Sequence, residues 1–402
     1  MDVLHQVETS VLLAGVVGVV AIAASRAAKL LRLPAPAVFL IAGLIVAALY
    51  EPAHDAATFE RIAALGSYAL IFILFEGGFS NGGWLRTGPC IRPILTMGLA
   101  GTLVTTGLLA AACHYLIGMP LPISVLVAVA LAPTDPAAVF SVLGEQDVSG
   151  TTDIILEGES GANDPVGISL MLGAIAYYQT DGSLGGVVFD FAAQLAVGAV
   201  IGIVFGLLLG QLLLHVRFGA DALHVVAATA GAFLTFAVAS HLHGSGFLAV
   251  FVAGLLVGRH RLQAHASTES FLAVLAALSE MAMFTALGLT ASFGSLGDAA
   301  PKALLVFALL TFLIRPAVSA VALRPEQLTR GERTFIAWGG LKGAVPILLA
   351  SFPILAGLDD ASTTYDIVFV AVVASVLLQG STLPLLARRI GLLTPNSATA
   401  PK

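Results

Sequence analysis

Residues 156–168, LEGESGANDPVGI, put Glu159, Asn163 and Asp164 inside a stretch that otherwise has the apolar length of a membrane-spanning helix. A charge at the bilayer centre costs at least about 2.5–3.5 kcal/mol on insertion scales, so two carboxylates at that depth need partners or a function. Residues three and four apart share a helix face. Ser160, Asn163, Asp164 and Gly167 follow that spacing, and Glu159 lies one turn before Asn163. Pro165 has no N–H, which takes the helical partner from the Gly161 carbonyl. Two carboxylates, an amide, a hydroxyl and a freed carbonyl make a hard-oxygen set suited to a desolvated cation.

Other polar residues interrupt apolar runs in the same way. Ala132-Pro133-Thr134-Asp135-Pro136 has two prolines three apart, which free backbone carbonyls near Val129 and Ala132. Asp135 precedes a proline and is pushed out of helical geometry. The run Gly339-Gly340-Leu341-Lys342-Gly343-Ala344-Val345-Pro346 predicts a second break, with a buried Lys342. Arg315 lies deep in VFALLTFLIRPAVSA and needs a partner.

The elements that position these residues are membrane helices. The chain of 402 residues is 58% hydrophobic and 10% charged, with a mean hydropathy of +0.98. Soluble domains average about 25% charged residues, so the composition and the repeated long apolar runs predict an all-α polytopic membrane protein. About thirteen apolar segments are legible: 9–25, 34–50, 59–78, 91–113, 120–143, 152–178, 186–215, 222–241, 245–258, 270–292, 300–323, 333–357 and 364–387. The first lacks a basic flank and a cleavage site and reads as a retained helix, not a signal peptide. Cys90 and Cys113 have neither metal-site nor disulfide spacing. Loop arginines and lysines collect on one side if every segment crosses, with only Arg61 and Lys302 opposite. That side is cytoplasmic, which puts the N-terminus outside and the C-terminus inside.

The two interrupted segments are the fifth and the twelfth, seven apart. Paired interruptions at corresponding places in two halves point to a transporter built from inverted repeats with a midplane site. Residues 9–178 and 222–387 are the expected repeats of a 1–389 transmembrane domain, with 186–215 as linker helix and 390–402 as a short cytoplasmic tail.

The motifs PTDPAAVFSVLG at 133–144, ESGANDP at 159–165, GSGFLAVFVAGLLVG at 244–258 and GGLKGAVPILLASFPILAGL at 339–358 resemble those of the cation:proton antiporter-1 family. The ESGxNDP form is most similar to its bacterial potassium/proton branch. Members there often carry a cytosolic regulatory domain after the last helix, which this sequence is expected to lack. The family's usual arginine in the GLRGAVP stretch is Lys342 here, which keeps the charge but loses the planar fork. The resemblance implies that Asp164 binds cation and proton alternately, and that Asn163 replaces a second acid found in electrogenic relatives. It implies cation ligands from Asp164, Asp135, Ser160, Asn163 and the Thr134 carbonyl, a buried ion pair of Glu159 with Arg315, and an acidic position near the site at Glu76. It also implies a homodimer in the cell's inner membrane.

Plainer roles stand beside these. Asp135 also fits as the N-cap of a half-helix. Lys342 fits as compensation for a broken helix's dipole or as a counter-charge to the carboxylates. Glu76 fits core packing as well as cavity lining. His241 and His243, two apart in a loop, do not share a helical face and read as loop residues. The expected activity is electroneutral exchange of K⁺ or Na⁺ for H⁺, involving the lipid bilayer, no cofactor, no nucleic acid and no enzymatic step. The alternative is a cation channel or potassium efflux pathway without obligatory proton coupling, but the repeated filter loop of a channel is absent from the sequence. An intramembrane enzyme is the third class. HExxH spacing is absent, and no Ser–His pair stands out at membrane depth.

Overall fold

The computed structural model describes residues 2–31, 33–50, 57–82, 90–143, 147–148, 151–180, 184–216, 219–260 and 265–394. The loop arginines at 32, 86, 217 and 261, and Lys402, fall outside these. The apolar segments become helices α1 (Asp2–Leu31), α2 (Ala35–Leu49), α3 (Phe59–Asn81) and α4 (Ile91–Tyr115). The fifth segment divides into α5 (Leu121–Leu131) and α6 (Pro136–Leu143). Then come α7 (Thr152–Thr180), α8 (Leu184–His215), α9 (Asp221–His241), α10 (Gly246–Gly258), α11 (His265–Leu289) and α12 (Phe293–Ala322). The twelfth segment divides into α13 (Arg330–Trp338) and α14 (Ala344–Leu355), and α15 (Ala361–Arg389) closes the fold.

Among the described residues, seven helices are long and apolar enough to cross a membrane and five shorter ones are apolar. Side chains such as Val19, Phe189 and Leu313 point outward, 69%, 72% and 60% exposed, as lipid-facing residues do. The segment bounds shift where capping decides them. The eleventh begins at Phe293 and not at 300, because the Ser292 side chain caps it by accepting from Ser295 N–H. Pro301 therefore sits inside the helix. The first and tenth also begin earlier than the apolar run, at Asp2 and His265.

Contacts near helix ends separate into two faces. Loops after odd-numbered segments meet one another: Arg92 pairs with Glu326 at 3.7 Å, and Ser267 donates to Asp221. A two-residue antiparallel ladder joins Asp147–Val148 to Leu393–Thr394 on that face. Loops after even-numbered segments meet on the other, where Gln179 donates to the Ala356 carbonyl and Phe59 packs edge-on against Tyr365. The helices therefore traverse the fold alternately.

Two glycine crossings expose an internal symmetry. Gly78 of α3 meets Gly254 of α10 so closely that a methyl on either would overlap the other's backbone. Gly43 of α2 meets Gly288 of α11 in the same manner. Shifting segment numbers by seven turns the third–ninth contact into the tenth–second, so one crossing maps onto the other. Small residues let membrane helices approach without a hydrophobic drive between them.

Candidate functional site

The two breaks cross in contact. Residues 132–135 separate α5 from α6, and 339–343 separate α13 from α14. Asp135 N–H donates to the Leu341 carbonyl at 2.9 Å, which ties one break to the other. Four half-helix ends thus face each other inside the protein, and helix ends left without partners are costly in an apolar interior.

The negative ends of α5 and α13 are compensated by side chains from other parts of the chain, and the positive end of α6 by its own cap. Lys342 Nζ donates to the carbonyls of Ala132 at 3.2 Å and Pro133 at 3.0 Å, at the negative end of α5. It therefore neutralises the opposite broken helix rather than its own. Arg315 Nη2 donates to the Ile336 carbonyl at 3.2 Å, near the negative end of α13. Gln379 Nε2 takes the Trp338 carbonyl at 3.0 Å. At the positive end of α6, Asp135 Oδ1 accepts from Ala138 N–H at 3.3 Å, an N-cap with Pro136 at the first helical position.

Arg315 also donates to both carboxylate oxygens of Glu159, Nη2 to Oε2 at 2.9 Å and Nη1 to Oε1. Both side chains are almost wholly buried. This fork-on-carboxylate geometry needs a planar guanidinium. Gly340 lies against the guanidinium, and Gly343 lies against the Asp135 carboxylate, with no room for a methyl at either. The glycines of the second break make space for the charges.

Three π-helical turns border this centre: Thr96–Gly101 in α4, Leu309–Ile314 in α12 and Val376–Gly380 in α15. The first brings Gly98 onto the Glu159 carbonyl and Ala162. The second ends directly before Arg315, and the third contains Gln379. Such turns rotate the following residues off the regular helical face and gather at functional sites.

α7 runs unbroken through Pro165 and supplies Glu159, Ser160, Asn163 and Asp164, all buried. Ser160 Oγ donates to the Thr134 carbonyl at 2.5 Å. The Asn163 amide holds Thr134 at both ends: Nδ2 donates to Oγ1 at 2.8 Å, and Oδ1 accepts from N–H at 3.3 Å. Asn163 and the Thr134 carbonyl, expected from the resemblance as cation ligands, are thus engaged by Thr134 and by Ser160 respectively and do not line the cavity beside them.

That cavity holds about 220 Å³. Asp164, Asp135, Ser160 and Glu76 line it, and so do Glu157 and Glu280. Asp164 Oδ1 is fully buried with no hydrogen-bond partner among the described residues. Asn81 Nδ2 donates to the Gly77 carbonyl at 2.7 Å, Ser80 donates to Glu76 at 2.7 Å, and Glu280 lies near enough to Asp135 for their charges to interact. A small cavity with acidic groups set among apolar side chains, and with the unpartnered Asp164 oxygen, can hold a proton or a dehydrated monovalent cation there.

The sodium/hydrogen exchanger transmembrane family matches residues 16–389. The chain belongs to that family. It is 32% identical over 409 residues to the K⁺/H⁺ antiporter NhaP of Alkalimonas amylolytica, covering 98% of this chain and 69% of that one. It is 28% identical to the K⁺/H⁺ antiporter NhaP2 of Shewanella baltica over 96% of this chain and 67% of that one. The Na⁺/H⁺ antiporter ApNhaP of Aphanothece halophytica is 27% identical over 80% of this chain. In fold, the sodium proton antiporter MjNhaP1 of Methanocaldococcus jannaschii superposes with a TM-score of 0.80 at 24% identity, covering 96% of this chain and 99% of that one.

For this exchanger the structure brings together every site residue that the sequence singled out. Asp164, Asp135, Ser160 and Glu76 share the cavity, and Asn163, Thr134, Lys342, Glu159 and Arg315 lie behind it. Glu157, Glu280 and Asn81 are additions. Glu157 is a third carboxylate within the stretch 156–168, and Glu280 interrupts the apolar run of α11. The criterion that marked Asp164, a charge inside a membrane segment, marks both of these too.

Proposed function

We propose that this exchanger carries a monovalent cation in one direction for a proton in the other, with Asp164 as the shared carrier. The unpartnered, buried Asp164 Oδ1 on the acidic cavity carries this reading. A protonated Asp164 is neutral and withdraws its charge from the cation. An ionised Asp164 needs one, and Asp135, Ser160 and Glu76 supply further oxygens on the same cavity. Cation and proton exclude each other, so one carrier couples both fluxes. The similarity to K⁺/H⁺ antiporters favours K⁺ as the cargo, with Na⁺ the other monovalent candidate.

In this reading the half-helices α5, α6, α13 and α14, with α7 and α15, form a core that moves against α2, α3, α10 and α11. The repeats are 9–178 and 222–387, joined by α8, and all thirteen segments cross an inner membrane with the N-terminus outside and the C-terminus cytoplasmic. The exchanger is a homodimer, makes no covalent bond to its cargo and needs no cofactor. Parity of the loop contacts and the basic residues on the odd-numbered face support this orientation.

The test is cation-driven proton flux in proteoliposomes, with K⁺ and Na⁺ compared over a pH series. Competition predicts that acidity on the cation side raises the apparent KM for the cation. The maximal rate at saturating cation changes less. Cation flux that persists at full rate with no proton movement would make the protein a channel.

A further inference from the structure

Away from the cavity, a groove of about 620 Å³ opens between α12, α13 and α15. Its floor is apolar, with Pro316, Ala337, Trp338 and Leu385, and its other end carries Arg333 and Arg389. Leu385 is 60% exposed, so the groove opens outward to where lipid lies. Trp338 is fixed in the floor by Nε1 donating to Thr382 Oγ1 at 3.0 Å.

The two arginines have no carboxylate partner among the described residues. Arg333 Nη2 donates to the Glu326 carbonyl at 2.8 Å, while its buried Nε has no partner. Glu326 pairs with Arg92 instead, and Glu332 is held by the Thr329 capping box. Arg389 is exposed. Both arginines lie on the basic face of odd-numbered loops. Helical rise puts Trp338 and Thr382 about 7–10 Å below them, the distance from a headgroup into the acyl region.

We propose that this groove is a binding site for one anionic phospholipid, with Arg333 and Arg389 on the phosphate and an acyl chain along Trp338 and Leu385. Guanidinium forks suit phosphate oxygens, and basic pockets between transmembrane helices on the cytoplasmic side select anionic headgroups. A soluble phosphate would leave the apolar floor uncovered. The groove wall is also part of the transport centre: Pro316 follows Arg315, and α13 ends at the Gly339–Gly343 break. An occupied groove therefore braces the half-helix that receives Arg315.

The experiment reads binding directly. Trp84→Phe leaves Trp338 as the remaining one of two tryptophans. The protein is reconstituted in phosphatidylcholine with a small fraction of acyl-brominated phosphatidylglycerol, or with the same fraction of brominated phosphatidylcholine. The expected result is several-fold stronger quenching of Trp338 by the anionic lipid. R333Q/R389Q should reduce this to the phosphatidylcholine level, while R324Q, on the same face but off the groove, should leave it unchanged. If the double variant folds poorly, R389Q alone must still lower the preference, because that exposed side chain has no hydrogen bond or ion pair to lose among the described residues. Equal quenching by both lipids would overturn the proposal, as would a preference that survives R333Q/R389Q. Complete displacement by millimolar inorganic phosphate would also overturn it, in favour of a free-anion site. Quenching that becomes anion-selective only after removal of residues 395–402 would assign the groove to the chain's own tail.

Discussion

Asp164 and its neighbours divide one task among different chemistries. Asp164 offers an oxygen that no described residue satisfies, while Asn163 is locked onto Thr134 and keeps the site's shape. Asp164→Asn keeps the size and removes both charge and titration. The variant is expected to reach the membrane folded and to lose exchange, measured as cation-driven proton flux at matched protein amounts. Retained flux would remove Asp164 from the mechanism. Arg315 is a contrasting case. Removing one partner of a buried pair leaves an uncompensated charge that costs roughly 3–5 kcal/mol. Arg315→Ala therefore strands Glu159 and the Ile336 carbonyl together. It is expected to lower folded yield and thermal stability much more than it alters the preference between K⁺ and Na⁺. Full yield with changed selectivity would make Arg315 part of the cation site instead.

At the scale of elements, the crossing of two broken helices does two jobs. It brings half-helix ends to the centre, and it places cations and an N-cap to balance them. Lys342 is the clearest example, since it reaches from one break to the carbonyls of the other. The glycines matter because these charges need the volume. A methyl at Gly343 would overlap the Asp135 carboxylate, so the carboxylate must turn away. Gly343→Ala is expected to raise the cation KM about tenfold, equivalent to about 1.4 kcal/mol of affinity, with folded yield retained. Gly294→Ala, on α12 with open space at its Cβ position, is the matched control and should transport normally. An unchanged KM for Gly343→Ala would mean that Asp135 is not a cation ligand.

For the whole molecule, stoichiometry is the sharpest expectation. Asn163 is held by Thr134 and Glu159 is paired with Arg315, so the proposed mechanism has Asp164 as its exchanging carboxylate. One proton per monovalent cation moves no net charge. Exchange in proteoliposomes should therefore be indifferent to an imposed diffusion potential. A strong response would show that another cavity carboxylate, Glu157 or Glu280, also titrates in the cycle.

The sequence by itself determined the class, the sites of the two breaks and the residues around them. Its reasons are local: apolar length, proline without an N–H, and the cost of a charge in lipid all act within one segment. PTDP and GGLKGAVP announced interruptions, and Asp164 stood out against its apolar neighbours. Apart from the Glu159–Arg315 pair that the resemblance implied, only the tertiary structure decided which groups those charges would meet. Nothing in the spacing indicates that Lys342 serves α5, that Asn163 turns to Thr134, or that Glu157 and Glu280 share a cavity with Asp164. The π-turns before Arg315 and around Gln379 also leave no pattern in residue types. These features arise between helices distant in sequence. Partners there are set by crossing geometry and by the balance of buried dipoles, which no single segment encodes.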